Sequence, residues 1–264
     1  MNVNVECYIS INLFMPVYLD LCAGFSGMSV CYRLAKIVSY PVLIGFCVCI
    51  TAPSVLAEGG ISIHGTRVVY PQNAKQRNLS VSNSSETDSF LVQSWIEDAS
   101  GHKTNDFVVT PPLYLSGPKN ENTLRLIYTG GELPHDRESL YYFTSKAIPS
   151  IDESKSAGKN VIRIALASRI KVFVRPNDLN ISPDDAPNSL EFHQNGDRLN
   201  IKNPTPYYIT LTDMKIAGKN LEDTMVPPKG MASETVHWSH GGKIAFRTLN
   251  DFGAKTKEVI ADVN

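Results

Sequence analysis

Two cations stand among apolar neighbours in strand-like sequence. Arg67 lies within Gly65-Thr66-Arg67-Val68-Val69-Tyr70, and Lys171 lies between Ile170 and Val172. Inside strands of this composition a charge either points to water or, if buried, must be paired. The residue pattern leaves both readings open. Other candidate chemistry is thinner. His237 and His240 flank Trp238-Ser239 with no third ligand nearby in sequence, and two imidazoles alone do not complete a metal site. Gly241-Gly242-Lys243 lacks the first glycine and the Ser/Thr of a phosphate loop, so it reads as a hairpin turn rather than a nucleotide site. Asp184-Asp185 and Glu222-Asp223 are adjacent carboxylates in loop-like sequence and read as solvated. No G-x-S-x-G elbow or H-E-x-x-H pair occurs. Asn78, Asn83 and Asn180 head N-x-S sequons, which matter only in a glycosylating host. No catalytic residue, metal or cofactor is expected.

The element that must position Lys171 is VIRIALASRIKVFVRP at 161–176. Ile162, Ile164, Leu166, Ser168, Ile170, Val172 and Val174 alternate with positions that include Arg163, Arg169 and Lys171. One face is apolar and the other carries cations, the pattern of a β-strand. A strand over 161–174 has about 14 residues, against the usual 5–6. Pro176 then stops it, because proline cannot continue a central ladder. So long an apolar face needs a cover, and what its own domain leaves bare a partner must supply. Period-2 patterning predicts further strands at 61–70, 78–82, 90–97, 123–129 and 140–147. Residues 107–115 are broken by Pro111-Pro112 and read as an edge or crossover. Short strands separated by turn-rich pieces predict an all-β antiparallel sandwich. A polar stretch at 177–188, with Pro183 and Pro187, reads as a linker. Beyond it, strands at 190–193, 198–202, 207–216, 221–226, 232–237, 243–248 and 257–261 predict a second small sandwich.

Lys plus Arg total 25 and Asp plus Glu total 26, which argues against a nucleic-acid binder. All five cysteines, Cys7, Cys22, Cys31, Cys47 and Cys49, precede residue 50. That distribution makes sense if the first part is removed. Met28 is a second in-frame start, followed by Arg33, Lys36, an apolar run over 38–50 and then Val55-Leu56-Ala57. This is the order of a signal peptide cleaved after Ala57. The apolar run is shorter than the roughly 20 residues of a spanning helix. Residues 1–27 read as an upstream extension. The expected division is a leader over 1–57, a first domain over 58–176, a linker over 177–188 and a second domain over 189–264. An exported chain without cysteine gains its stability from core burial and ladder hydrogen bonds, and it excludes thiol catalysis.

The chain resembles the periplasmic chaperones of bacterial pilus assembly by the chaperone–usher pathway, in their type 1 fimbrial branch. The matching pieces are T-R-V-V-Y-P at 66–71, Q-S-W-I-E at 93–97, V-T-P-P-L at 109–113 and E-N-T-L-R at 121–125. They continue with L-P-x-D-R-E-S-L-Y-Y at 133–142, K-A-I-P-S at 146–150 and S-R-I-K-V-F-V-R-P at 168–176. The second half adds N-P-T-P-Y-Y at 203–208, V-P-P at 226–228 and R-T-L-N-D-F-G at 247–253. Val174 stands where the family often has an aromatic residue.

The resemblance implies two immunoglobulin-like β-sandwich domains in an L, with an interdomain cleft. It implies a chaperone that lends a strand to an incomplete pilus subunit, a recognition mode of which chaperone–pilin pairing is a standard case. Ile162, Ile164 and Leu166 would be the donated side chains. Arg67 and Lys171 would hold the subunit's C-terminal carboxylate, and Glu138, Arg175 and Asp251 would form interdomain salt bridges. The partners implied are pilus subunits and the outer-membrane usher, with no nucleotide and no cofactor. Free chaperone, with an exposed apolar edge, would be open to weak self-association. The short loop at 151–159 goes, in the family, with rod-like pili. A secreted two-domain immunoglobulin-like adhesin is the competing reading from composition, and an exported hydrolase is the weaker one.

Overall fold

The computed structural model describes residues 59–150, 164–236 and 242–264. In the first domain the described strands are β1 (Ile61–Ile63), β2 (Arg67–Pro71), β3 (Arg77–Asn83), β4 (Phe90–Glu97) and β5 (Phe107–Thr110). β6 (Leu113–Ser116), β7 (Glu121–Tyr128), β8 (Ser139–Pro149) and β9 (Leu166–Arg175) follow. One sheet runs β1-β3-β7-β5 and the other β2-β9-β8-β4-β6. Alternate side chains of each sheet face the other, as period-2 patterning requires. Val81, Leu124 and Leu126 from the first meet Ile96, Phe143 and Val172 from the second in one buried cluster.

The strand expected over 61–70 is two strands. Residues 64–66, with Gly65 at a φ of 108°, carry the chain from one sheet to the other. β1 pairs antiparallel with β3, whereas β2 pairs parallel with β9. Residues 107–115 are a crossover, as expected: β5 and β6 are edge strands of opposite sheets, with Pro111-Pro112 between them. The long strand starts later than expected. Ile164 and Ala165 lie outside it, and residues 161–163, with Ile162, lie outside the described part. Its ladder with β8 ends at the Ala147–Leu166 pair, and β8 itself closes at Pro149, so among the described residues no ladder partner holds residue 164.

The second domain contains β10 (Glu191–Asn195), β11 (Arg198–Asn203), β12 (Ile209–Ile216), β13 (Lys219–Asn220) and β14 (Thr224–Val226). β15 (Gly230–Thr235), β16 (Gly242–Thr248) and β17 (Val259–Val263) complete it. Two antiparallel groups, β13-β12-β16-β17 with β14 on β12, and β10-β11-β15, are joined by one parallel pair, Phe192–Val263. Phe192, Leu199 and Ile201 pack against Leu211, Ile244 and Phe246 between them. Ala186, in a short 3-10 turn at Ala186–Ser189, is buried in the same core.

Each domain pins a loop with one buried asparagine. Asn83 Nδ2 donates to the carbonyls of Asp88 and Gly117 at 2.8 Å, and Oδ1 accepts from Ser85 N at 3.0 Å. Asn203 Nδ2 donates to the carbonyls of Tyr207 (2.8 Å) and Pro227 (3.1 Å), while Oδ1 accepts from Thr205 N and Thr205 Oγ1.

Candidate functional site

β2 lies alongside only the second half of β9. Their register pairs Arg67 with Lys171 and ends at Pro71–Arg175. Both cations therefore project from the outward face of the five-stranded sheet, side by side, at the point where β2 begins. Below that point β9 keeps β8 on one side, from Leu166 to Ile170, and has no strand on the other among the described residues. The same strand thus changes character along one face. Val172 and Val174 are sealed in the core, at 0% and 2% exposure, while Leu166 is 70% exposed and Ile164, just before it, 67%.

The cations are short of counter-charge. Burial pushes the Arg67 guanidinium below its usual range, and the more distant Asp251 and Glu138 only partly restore it. Arg67 Nη1 donates to the Leu249 carbonyl at 3.3 Å, but its buried Nε has no hydrogen-bond partner. Lys171 is also pushed down, first by burial and then by repulsion from Arg67. Among the described residues no carboxylate forms an ion pair with either one. Two adjacent, partly buried cations with an unused donor make a receptor for an anion able to take charge-assisted hydrogen bonds.

The nearby acids are already committed to Arg175. Its Nη1 and Nη2 each meet an Asp251 oxygen at 2.7 Å, and its Nε meets Glu138 Oε1 at 2.7 Å. Glu138 Oε2 accepts from Tyr208 N at 2.7 Å, and Glu138 N donates to Pro206 O. Burial opposes the Arg175 charge, but Asp251 and Glu138 more than offset it and raise its pKa. Burial likewise raises the Glu138 pKa, with Arg175 and the Tyr208 N–H pulling the other way. Phe173, on the Lys171 face of β9, stacks on Tyr208 with centroids 5.6 Å apart. The first domain's cation pair is thereby roofed by the second domain.

The family model for the pili and flagellar-assembly chaperone PapD N-terminal domain matches residues 60–180, and that for the pili assembly chaperone PapD C-terminal domain matches 185–260. The chain belongs to the pili assembly chaperones. It is 46% identical to chaperone protein FocC of Escherichia coli over 222 residues, 83% of this chain and 96% of that one. The structure of the periplasmic chaperone SfaE superposes with a TM-score of 0.67 at 46% identity, over 78% of this chain and all of that one. A Salmonella enterica SafB chaperone, solved in complex with SafA pilin, matches with a TM-score of 0.70 at 30% identity, over 79% of this chain and 98% of that one. These likenesses favour the chaperone reading over the secreted adhesin.

In this chaperone Arg67 and Lys171 are neighbours, and Glu138, Arg175 and Asp251 form one network. Ile164 and Leu166 lie at the open end of β9. Ile162, His237 and His240 fall outside the described residues, as do the leader and the loop at 151–159. Sequence reasoning missed three features. Arg169 lies over the Tyr142 ring at 3.7 Å and pairs with Glu97 at 2.9 Å, which shields aromatic surface beside Lys171. Lys229 reaches across the domains to Asp136. Gly253 packs against Thr66. Only the last had a visible signal, the tight turn implied by Asn250-Asp251-Phe252-Gly253.

Proposed function

We propose that this chaperone binds pilus subunits in the periplasm by strand addition and delivers them to the outer-membrane usher, without enzymatic activity. The observation that carries the reading is the half-open strand: among the described residues β9 is bare on one edge until it reaches two uncompensated cations. An incoming strand would lie in line with β2 and end at Arg67. Cations select a carboxylate, hence a C-terminus, so the guest strand must run parallel to β9. The carboxylate would also fix the register, since a one-residue slip turns the wrong face to the host. Leu166, Ile164 and Ile162 would fill the subunit's unfinished core. Each buried side chain contributes about 1.5–3 kcal/mol, before the cost of association. The pilin-bound relative supports the partner class. Arg175, with Glu138 and Asp251, would hold the second domain over the pair.

On this reading residues 1–57 are a leader removed on export, 58–176 the donor domain, 177–188 a linker and 189–264 the second domain. Mass spectrometry of the periplasmic protein should give Glu58 as its first residue. The functional test is co-purification from periplasm with an exported pilus subunit. Wild type should retain the subunit. Lys171→Ala should fold, as judged by circular dichroism, and lose it. Equal recovery by both would refute the proposal.

A further inference from the structure

Phe252 is the most exposed large apolar side chain among the described residues, at 89%, yet its backbone is tightly held. It sits on the turn between β16 and β17. Asn250 Oδ1 accepts from the N–H groups of Phe252 (3.1 Å) and Ala254 (2.9 Å). Backbone bonds from Asn250 N to Ala254 O and from Gly253 N to Asn250 O close the turn. Three contacts then fix it to the first domain. Arg67 donates to Leu249 O at its root, Asp251 grips Arg175, and Gly253, at a φ of 79°, abuts Thr66. A Cβ on Gly253 would stand 1.8 Å from Thr66 Oγ1. The ring is the large apolar group of this turn left to solvent, and the turn that carries it is fixed beside Thr66 and Arg67.

A tight turn needs no aromatic side chain, and a large bare ring on a fixed mount is a hydrophobic surface without an internal partner. Thr66 is one residue from Arg67, about 4 Å along the chain, and three residues of strand reach about 10 Å. Residues just before a carboxylate held by Arg67 and Lys171 therefore come within range of the turn. We propose that Phe252 is a specificity-determining residue, packing against a large apolar side chain among the last three residues of the bound subunit. The inference rests on the carboxylate-anchoring role of Arg67 and Lys171.

The test uses the exported chaperone and two fluorescently labelled dodecapeptides of alternating Val and Thr, ending in three leucines or three serines, each as free acid and as amide. Anisotropy should show wild type binding the leucine-ended acid about tenfold more tightly than the serine-ended acid. Phe252→Ser should abolish that preference and leave the serine-ended acid bound as before, while Phe252→Leu retains most of it. If acids outbind amides but Phe252→Ser keeps the leucine preference, or wild type has none, this inference fails and the anchoring role survives. If amides bind as well as acids, both fail.

Discussion

Lys171 holds a charge that burial and Arg67 both disfavour, so its ammonium costs the free protein stability. A lysine whose folded pKa lies below its unfolded one binds fewer protons folded than unfolded. Its contribution to stability therefore improves as pH rises through the window between the lowered folded pKa and the ordinary value of 10.5. Lys171→Met should raise the melting temperature by a few degrees while abolishing subunit capture, a trade calorimetry and co-purification would reveal together. If Lys171 holds the subunit's carboxylate as proposed, binding shifts its pKa back up, and complex formation takes up a proton on the alkaline side. Subunit affinity should stay flat through neutral pH and fall once pH exceeds the free-state pKa of Lys171, measurable by titration across alkaline buffers. The burial of this pair was not legible from strand pattern alone. Alternation assigns Lys171 to the outward face, and so to water. What buries that face is Tyr208 and the Leu249 turn, contributed by a region over 30 residues further along the chain.

Within β9 the two halves should answer mutation in opposite ways. Val172→Ala removes two methyl groups from a sealed position and should cost about 2 kcal/mol in chemical denaturation. Leu166→Ser alters a side chain already in solvent, so stability should hold while capture falls. The alternation that made this strand legible is identical in both halves. Where burial stops depends on β2, whose start at Arg67 no pattern in 161–176 encodes. The split at 64–66 was illegible for a related reason: the alternation continues across Gly65 although the sheet changes. The two asparagines show another limit. Asn83 and Asn203 are ordinary turn residues in sequence, but each satisfies carbonyls from loops distant along the chain. Asn203→Ala would strand buried carbonyls and should cost about 1–3 kcal/mol or more.

At the scale of the molecule, two sandwiches meet through a few specific contacts. The second sandwich was legible from its strand spacing, and the network at Arg175 from the family resemblance. Of the Gly253–Thr66 contact only the turn at 250–253 was legible, because its partner depends on the space for one absent Cβ. Gly253→Ala places a methyl group where Thr66 already stands and adds strain at positive φ. It should loosen the interface, seen as a larger radius of gyration in solution scattering and two separated calorimetric transitions. Lys229→Ala removes only an exposed ion pair and should change neither. The half-open strand, read as proposed, has a further consequence. A berth that closes on a free chain end inspects its cargo for completeness: a nascent fragment, or a product trimmed by proteases, arrives with its last residue in the wrong place and is turned away. Export would then deliver to the assembly line only molecules translated to their stop codon.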